Sequence, residues 1–347
     1  MIFLNKKIET LSLTDVKKIQ LSKLIKLIDY SYKKCSPYKK LMEKNKIKPT
    51  DIKDFDDFSK LPLMDKKFLI ANYPYNLLTI NQNDIYKIFL SGGTSGKPIA
   101  TFYSKNDYES VVEAGMRLFP AAEITEKNNF YFGLPIGSHI TLAIYDAAAR
   151  IGLHPLPSHF ASQNPEKQLQ LLKDFNIDCM KIAPSGPKGS LQDLLDHDTE
   201  GYFENNIKTV MYTGGELSND AYDFLEDIDI TVLPSYGSTE IGGIAYRSSN
   251  CDLPRGCMHI FSDLTYVEII DEKGEKVNEG EKGLILVTPL GLSESTGRAM
   301  PIIRYILGDE ASIIHKKCKC GRTSQIITMP TRIKDVQRLE LGCASNI

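Results

Sequence analysis

The 347-residue sequence has no excess of either charge: 42 Lys and Arg stand against 44 Asp and Glu, a net of -2. That excludes a general basic field for holding nucleic acid or an anionic membrane surface. No uninterrupted apolar run reaches the roughly 18 residues a membrane span needs. The best window, Ile140 to Leu156, is broken by Asp146 and Arg150. Met1 to Lys7 lack the apolar stretch and small-residue cleavage site of a secretory leader, so a cytoplasmic location is expected. The seven cysteines are odd in number and irregularly spread. They do not form a disulfide framework, which leaves reduced thiols or a metal site.

What is present is an ordinary globular composition, 42% hydrophobic and 25% charged, over a length that suits two domains or one large α/β domain with sub-lobes. Ser12 and Thr14 are candidate N-caps for a helix whose face is Leu21, Leu24, Ile25, Ile28 and Tyr32. Ile85 to Leu90 reads as a strand, then a Gly-rich turn, then a second strand, Ile99 to Tyr103. Strands are expected at Asn129–Leu134, Cys179–Ile182, Thr209–Tyr212 and Ile230–Pro234. Helices are expected at Asp107–Leu118, Leu142–Ile151, Glu166–Phe175, Leu191–Asp196 and Asp220–Leu225. This alternation predicts an α/β fold with a mostly parallel, helix-flanked sheet. After residue 250, Tyr266–Ile270 and Gly283–Thr288 are joined by a polar turn and suggest an antiparallel, barrel-like segment. Parallel sheets bind ligands beyond the carboxyl ends of their strands, which directs attention to 91–98, 213–217 and 236–243.

Three segments carry chemistry. Ser91-Gly92-Gly93-Thr94-Ser95-Gly96-Lys97-Pro98 has the glycines, hydroxyls and cation of a phosphate loop built on backbone N–H groups. Ser91 and Pro98 break the Walker spacing, and the same residues also suit a plain hairpin turn. Ser235-Tyr236-Gly237-Ser238-Thr239-Glu240 ends an apolar strand with a ring, hydroxyls and a carboxylate, able to stack a base, touch phosphate and hold Mg²⁺. On its own it reads equally as a loop with a solvated Glu. In Pro301-Ile302-Ile303-Arg304-Tyr305-Ile306-Leu307-Gly308-Asp309 the Asp either accepts from a ribose diol or caps a turn.

In this order the three resemble the adenylate-forming superfamily of acyl-CoA synthetases and AMP ligases, in its phenylacetate–CoA ligase-like branch. The resemblance runs from about Leu61 to Asp335 and includes Leu61-Pro62 with Asp65-Lys66. It implies the large domain of that fold. It also implies that Ser91, Gly92, Gly93, Thr94, Ser95, Gly96 and Lys97 cradle the ATP phosphates, and that Gly215, Glu216, Leu217, Tyr236 and Gly237 frame the adenine. Asp309 and Arg332 would hold the ribose, Thr239 the α-phosphate and Glu240 the Mg²⁺. Thr94, Lys97, Thr239 and Glu240 would be the catalytic set, promoting attack of a carboxylate on the α-phosphorus to give acyl-AMP and pyrophosphate. A carboxylate is already ionised at pH 7. The lack of a Ser-His-Asp set or paired catalytic carboxylates is therefore no objection, because positioning and charge neutralisation do the chemistry. Tyr131, Phe132, Gly133, His139, Ser235, Gly242, Gly243 and Ile244 would line the acid pocket and favour an aryl or aryl-acetic acid, though Tyr131 and Phe132 suit the core as well. The acceptor would be CoA or an acyl-carrier protein.

Cys318-Lys319-Cys320 is a Cys-x-Cys knuckle, and with Cys251 and His259 it can complete a tetrahedral structural zinc site. Cys257 is the reserve ligand; reduced surface thiols are the plain alternative. Some members of the resembling branch carry a similar set.

The expected organisation is a helical lead-in at 1–80, an α/β nucleotide- and acid-binding core at 81–250, the barrel-like segment with its zinc knuckle at 251–331, and at 332–347 a hinge with the start of a C-terminal domain. The family's small mobile domain, with its catalytic Lys, is expected to be missing, so adenylation by the chain alone would be slow and thioester formation would need a separate C-terminal domain or partner protein. A non-catalytic, partner-dependent nucleotide- and acid-binding core is the alternative function.

Overall fold

A computed structural model describes residues 3–91, 98–137, 140–158, 164–186, 189–292 and 298–333. The lead-in holds helices α1 (Lys6–Glu9), α2 (Leu13–Lys34), α3 (Ser36–Lys44), α4 (Phe55–Ser59) and α5 (Lys66–Ala71). Ser12, not Thr14, caps α2, its hydroxyl accepting from Asp15 N at 3.1 Å. Strands β1 (Lys87–Ser91) and β2 (Ile99–Tyr103) form an antiparallel hairpin closed by the pair Ser91 and Ile99.

The alternation follows: α6 (Lys105–Ala121), β3 (Phe130–Gly133), α7 (Thr141–Arg150), β4 (Leu156–Pro157), α8 (Pro165–Asp174), β5 (Cys179–Ile182), α9 (Leu191–His197), α10 (Tyr202–Asn206), β6 (Thr209–Tyr212), α11 (Asn219–Asp227), β7 (Thr231–Ser238) and β8 (Gly242–Tyr246). The chain then runs as β9 (Met258–Ile260), β10 (Thr265–Ile270), β11 (Gly283–Pro289), β12 (Tyr305–Ala311), β13 (Ile313–Ile314), β14 (Ile326–Ile327) and β15 (Thr331–Arg332). A capping box at Ser104 and Asp107 starts α6.

The large sheet has the order β13-β14-β9-β8-β7-β6-β5-β3-β4. Strands β4, β3, β5, β6 and β7 run parallel, and the remainder continues antiparallel. Alternate residues of the parallel strands feed different cores. Phe132, Cys179, Met211 and Leu233 meet α6 and α7 on one face, while Tyr131, Met180, Val210 and Val232 meet the other helices on the opposite face. Covering both faces explains why these strands read as continuous apolar runs.

Residues 251–331 do not form one barrel-like unit. Strands β10, β11, β12 and β15 make a separate antiparallel sheet, whereas β9, β13 and β14 join the antiparallel end of the large one. The reason is register: β9 finds its partners in β8 and β14 rather than in β10. The lead-in packs on this second sheet, with Met64 N donating to Arg304 O at 3.1 Å. Arg304 adopts a left-handed φ of 49°, and its buried guanidinium donates to both oxygens of Glu268 at 3.2 Å. It also reaches the Ser59 and Leu61 carbonyls. The Arg of the 301–309 segment is thus a fastener between lead-in and sheet. No described helix is long and apolar enough to cross a membrane.

Candidate functional site

The carboxyl ends of the parallel strands lie level. Gly133 is registered with Ile182, Ile182 with Tyr212, and Tyr212 with Pro234. Only β7 runs on, pairing antiparallel with β8 over Ser235–Ser238 with a bulge at Tyr236 and Gly237. The segment 236–240, expected as a turn, is therefore strand as far as Ser238, with Thr239 and Glu240 in the turn that follows. The strand continues because β8 supplies the hydrogen bonds that β6 no longer does. This places Tyr236 to Glu240 at the sheet's carboxyl edge, where ligands of such sheets sit.

The bulge depends on close packing. A Cβ on Gly237 would lie 2.5 Å from the Gly242 carbonyl oxygen, and one on Gly242 would lie 2.9 Å from Val111 Cγ2, at a left-handed φ of 96°. Both clashes fall on parts that cannot swing aside. Gly237→Ala is expected to destabilise the protein by about 1–3 kcal/mol, as overpacking does. Its thermal midpoint, compared with that of Ser238→Ala, checks this; equal midpoints would refute the packing account.

Three residues meet at the junction of the two sheets. The Tyr236 hydroxyl donates to Asp309 Oδ2 at 2.7 Å, and Arg332 Nη1 donates to Asp309 Oδ1 at 3.1 Å. Arg332 stands opposite Asp309 in the β12–β15 ladder and also donates to Leu307 O at 3.0 Å. Burial, and then the Asp309 charge, push the Tyr236 phenol well above its ordinary range, so it stays protonated and donating. Tyr103, buried at the end of β2, donates to the Thr239 carbonyl at 2.8 Å and ties the hairpin to this turn. Glu240 is buried, yet its carboxylate makes no hydrogen bond or ion pair with another described residue. Such an oxygen donor suits a hard cation.

The turn after β6 comes alongside, its Thr213 hydroxyl donating to Ser235 O at 2.8 Å. Gly215 and Glu216 are exposed on it, and Leu217 is buried in the core against α11. Between α6, α7, β7 and β8 lies a cavity of about 180 Å³. Ser235, Gly242 and Gly243 line it, with Val111, Ala114, Leu118, Ile144 and Phe261 as apolar walls. Tyr131, Phe132 and Ile244, expected in that lining, are wholly buried in the cores instead, and Gly133 closes β3 against Ile182. Tyr131 faces the opposite helix layer, Ile244 the core under the lead-in, and Phe132 packs inside the α6–α7 core, because strands covered on both faces bury every side chain. His139 and the loop residues Gly92, Gly93, Thr94, Ser95, Gly96 and Lys97 lie outside the described residues, as does Asp335.

The helix residues of the cavity wall were not legible in the sequence. Neither was Lys181, although a Lys inside the strand Cys-Met-Lys-Ile was a signal to notice. Lys181 is fully buried, and its ammonium donates to Ser235 Oγ at 2.7 Å.

A second site lies at the antiparallel end of the large sheet. The side-chain donor atoms of Cys251, His259, Cys318 and Cys320 all lie within 4.8 Å of one another. Cys320 Sγ is 3.2 Å from His259 Nε2, and Ser324 Oγ is 3.4 Å from His259 Nδ1, which directs Nε2 at the sulfurs. The Cys251 thiol, and then the His259 ring, pull the Cys320 thiol down to about 3. Arg247 holds the loop by donating to the Leu253 and Pro254 carbonyls at 2.7 and 2.8 Å. Cys257 packs buried beside the cluster but is not one of the four. Three sulfurs and one imidazole nitrogen, preassembled and closed to solvent on most sides, match the donor set of structural zinc.

The family model of AMP-binding enzymes matches residues 18–294. The phenylacetate-coenzyme A ligase of Thermus thermophilus is 27% identical over 323 residues, covering 91% of this chain and 70% of its own. That of Escherichia coli is 27% identical over 308 residues, covering 86% and 67%. Among solved structures, a 2-hydroxyisobutyryl-CoA ligase in complex with 2-HIB-AMP and CoA superposes with a TM-score of 0.84 at 19% identity, over 96% of this chain and 71% of the other.

Proposed function

Because the chain belongs to the family of AMP-binding enzymes and is an AMP-forming acid ligase, we propose that it activates an aryl or aryl-acetic acid as the acyl-adenylate and passes the acyl group to CoA. The observation that carries the reading is the meeting of Tyr236, Asp309 and Arg332 beside Glu240 and the cavity. In it, Asp309 accepts from the ribose diol, and Tyr236 holds that carboxylate in place while its ring flanks the adenine. Thr239, fixed through its carbonyl by Tyr103, meets the α-phosphate. Thr94, Ser95 and Lys97, on the loop closed by Ser91, hold the outer phosphates. Glu240 would hold Mg²⁺, and the ion would supply positive charge against the phosphates. Val111, Leu118, Ile144 and Phe261 give the acid an apolar slot.

Acid-dependent exchange of labelled pyrophosphate into ATP, across aryl, fatty and amino acids, tests this reading. Exchange is expected with aryl or aryl-acetic acids. Glu240→Gln is expected to lower it by two to three decades, the scale of removing one group that stabilises the transition state. The absence of exchange with every acid would overturn the reading.

We also propose that Cys251, His259, Cys318 and Cys320 hold a structural zinc ion. All four positions come from protein, so the metal would serve stability and leave none open for substrate.

A further inference from the structure

Lys181 is a cation where the fold wants an apolar residue. It is registered on β5 with Phe132 and Met211, whose side chains fill the layer between the sheet and helices α6 and α7. That layer contains the cavity. Lys181 makes no ion pair with any described residue, and burial alone lowers its ammonium to about 7. Its hydrogen bond goes to Ser235 Oγ, and Ser235 lines the cavity. Desolvating an ammonium without a counter-charge is unfavourable, and such groups persist where something else supplies the charge.

A second observation points the same way. Ser238, three residues further along β7, also lines the cavity, and its hydroxyl is buried with no hydrogen-bond partner among the described residues. Buried hydroxyls in native proteins find partners. Both serines thus belong to the cavity lining, together with Thr141, Thr213 and Thr239. Ser238 lies next to Thr239 and the nucleotide-side residues. Ser235, backed by Lys181, lies deeper, roughly 10 Å away along the strand at about 3.3 Å per residue. Val111, Ala114, Leu118, Ile144 and Phe261 supply apolar walls, and of the two serines Ser235 has a buried cation behind it, so a ligand matching this site sets an oxygen group at Ser235 beside an apolar body.

We infer that the acid taken by this pocket carries, besides the carboxylate that reacts, a second anionic oxygen group received by Ser235 and Lys181. The inference rests on the cavity being the acid pocket of the proposed ligase, and it narrows the substrate to an aryl or aryl-acetic dianion.

The test is calorimetric titration of the full chain with three acids of one scaffold: phenylacetate, its para-hydroxy derivative and its para-carboxy derivative. The para-carboxy acid is expected to bind at least tenfold more tightly than phenylacetate, with the hydroxy acid between them. In Lys181→Met the preference is expected to fall below threefold, while Lys181→Arg retains part of it. Lys181→Met is expected to melt no lower than the parent, since it removes a buried unpaired cation. Ser235→Ala gives an independent variant should Lys181→Met not fold, and it is expected to weaken the same preference. Equal or weaker binding of the para-carboxy acid by the parent would overturn the inference, as would a preference that survives both substitutions. Pyrophosphate exchange run beside the titrations separates the two readings. Exchange without a preference for the dianion sinks this inference alone, whereas a dianion preference without exchange sinks the ligase reading alone.

Discussion

Protein purified without chelator is expected to carry about one zinc ion per chain, and Cys320→Ser is expected to lose it together with much of the stability of the antiparallel end of the large sheet. The four donors are already within 4.8 Å of one another, so binding needs little rearrangement. Structural zinc contributes apparent free energies on the order of 10–16 kcal/mol in small zinc-folded peptides, while a whole domain is stable by only about 5–15 kcal/mol. Here part of that gain is offset, because a small cluster of Leu253, Cys257 and Ile326 packs around the site without help from metal. A fall of roughly 5–10 °C in Tm is expected for Cys320→Ser, and a similar one after prolonged chelation. His259→Ala is expected to behave alike, whereas Cys257→Ser is expected to keep the metal. Since the ligands bind deprotonated, acid should release the ion with proton uptake by the thiolates and imidazole. Elemental analysis finding no zinc, with Cys251, Cys318 and Cys320 all titrating freely in the folded protein, would refute the proposal.

Asp309→Ala is expected to weaken ATP and AMP binding by two to four decades. A carboxylate has about four acceptor positions. Two are taken by Tyr236 and Arg332, leaving two for a ribose diol. Losing two charge-assisted bonds of roughly 1.5–3 kcal/mol each accounts for the magnitude. The contact with Arg332 adds little, because that side chain is mostly exposed and the pair is screened by water. Tyr236→Phe should therefore cost less than Asp309→Ala: it leaves the carboxylate but loosens its orientation. Arg332→Ala should cost least. Calorimetric titration with AMP ranks the three variants. Affinity of Asp309→Ala within threefold of the parent would show that the ribose lies elsewhere.

Much of this arrangement was legible from the chain because it is local. The strands Cys179–Ile182 and Thr209–Tyr212 appear with the bounds their apolar runs suggest, and the hairpin closes at Ser91 and Ile99 where the Gly-rich turn required it. The residues proposed to hold zinc were readable as a group because Cys-x-Cys and a nearby His are rare together and have few other uses in one chain. Asp309 and Arg332 were readable only through likeness to a family, since an Asp after a Gly has several ordinary roles.

The residues that miss their expected places fail for one physical reason. Tyr131, Phe132 and Ile244 belong to strands buried on both faces, where a side-chain period of two tells which residues share a face but not which face borders a cavity. That choice was made by α6 and α7, whose Val111, Leu118 and Ile144 form the walls. The ladder decided the rest. β7 outruns β6 only because β8 is there to pair with it, so a segment that reads as a turn becomes the strand that presents Tyr236 to Asp309. The order of motifs along the chain determined that this is an adenylate-forming core. The tertiary structure alone decided which hydroxyl Lys181 would reach 54 residues away, because burial joins groups that sequence distance keeps apart.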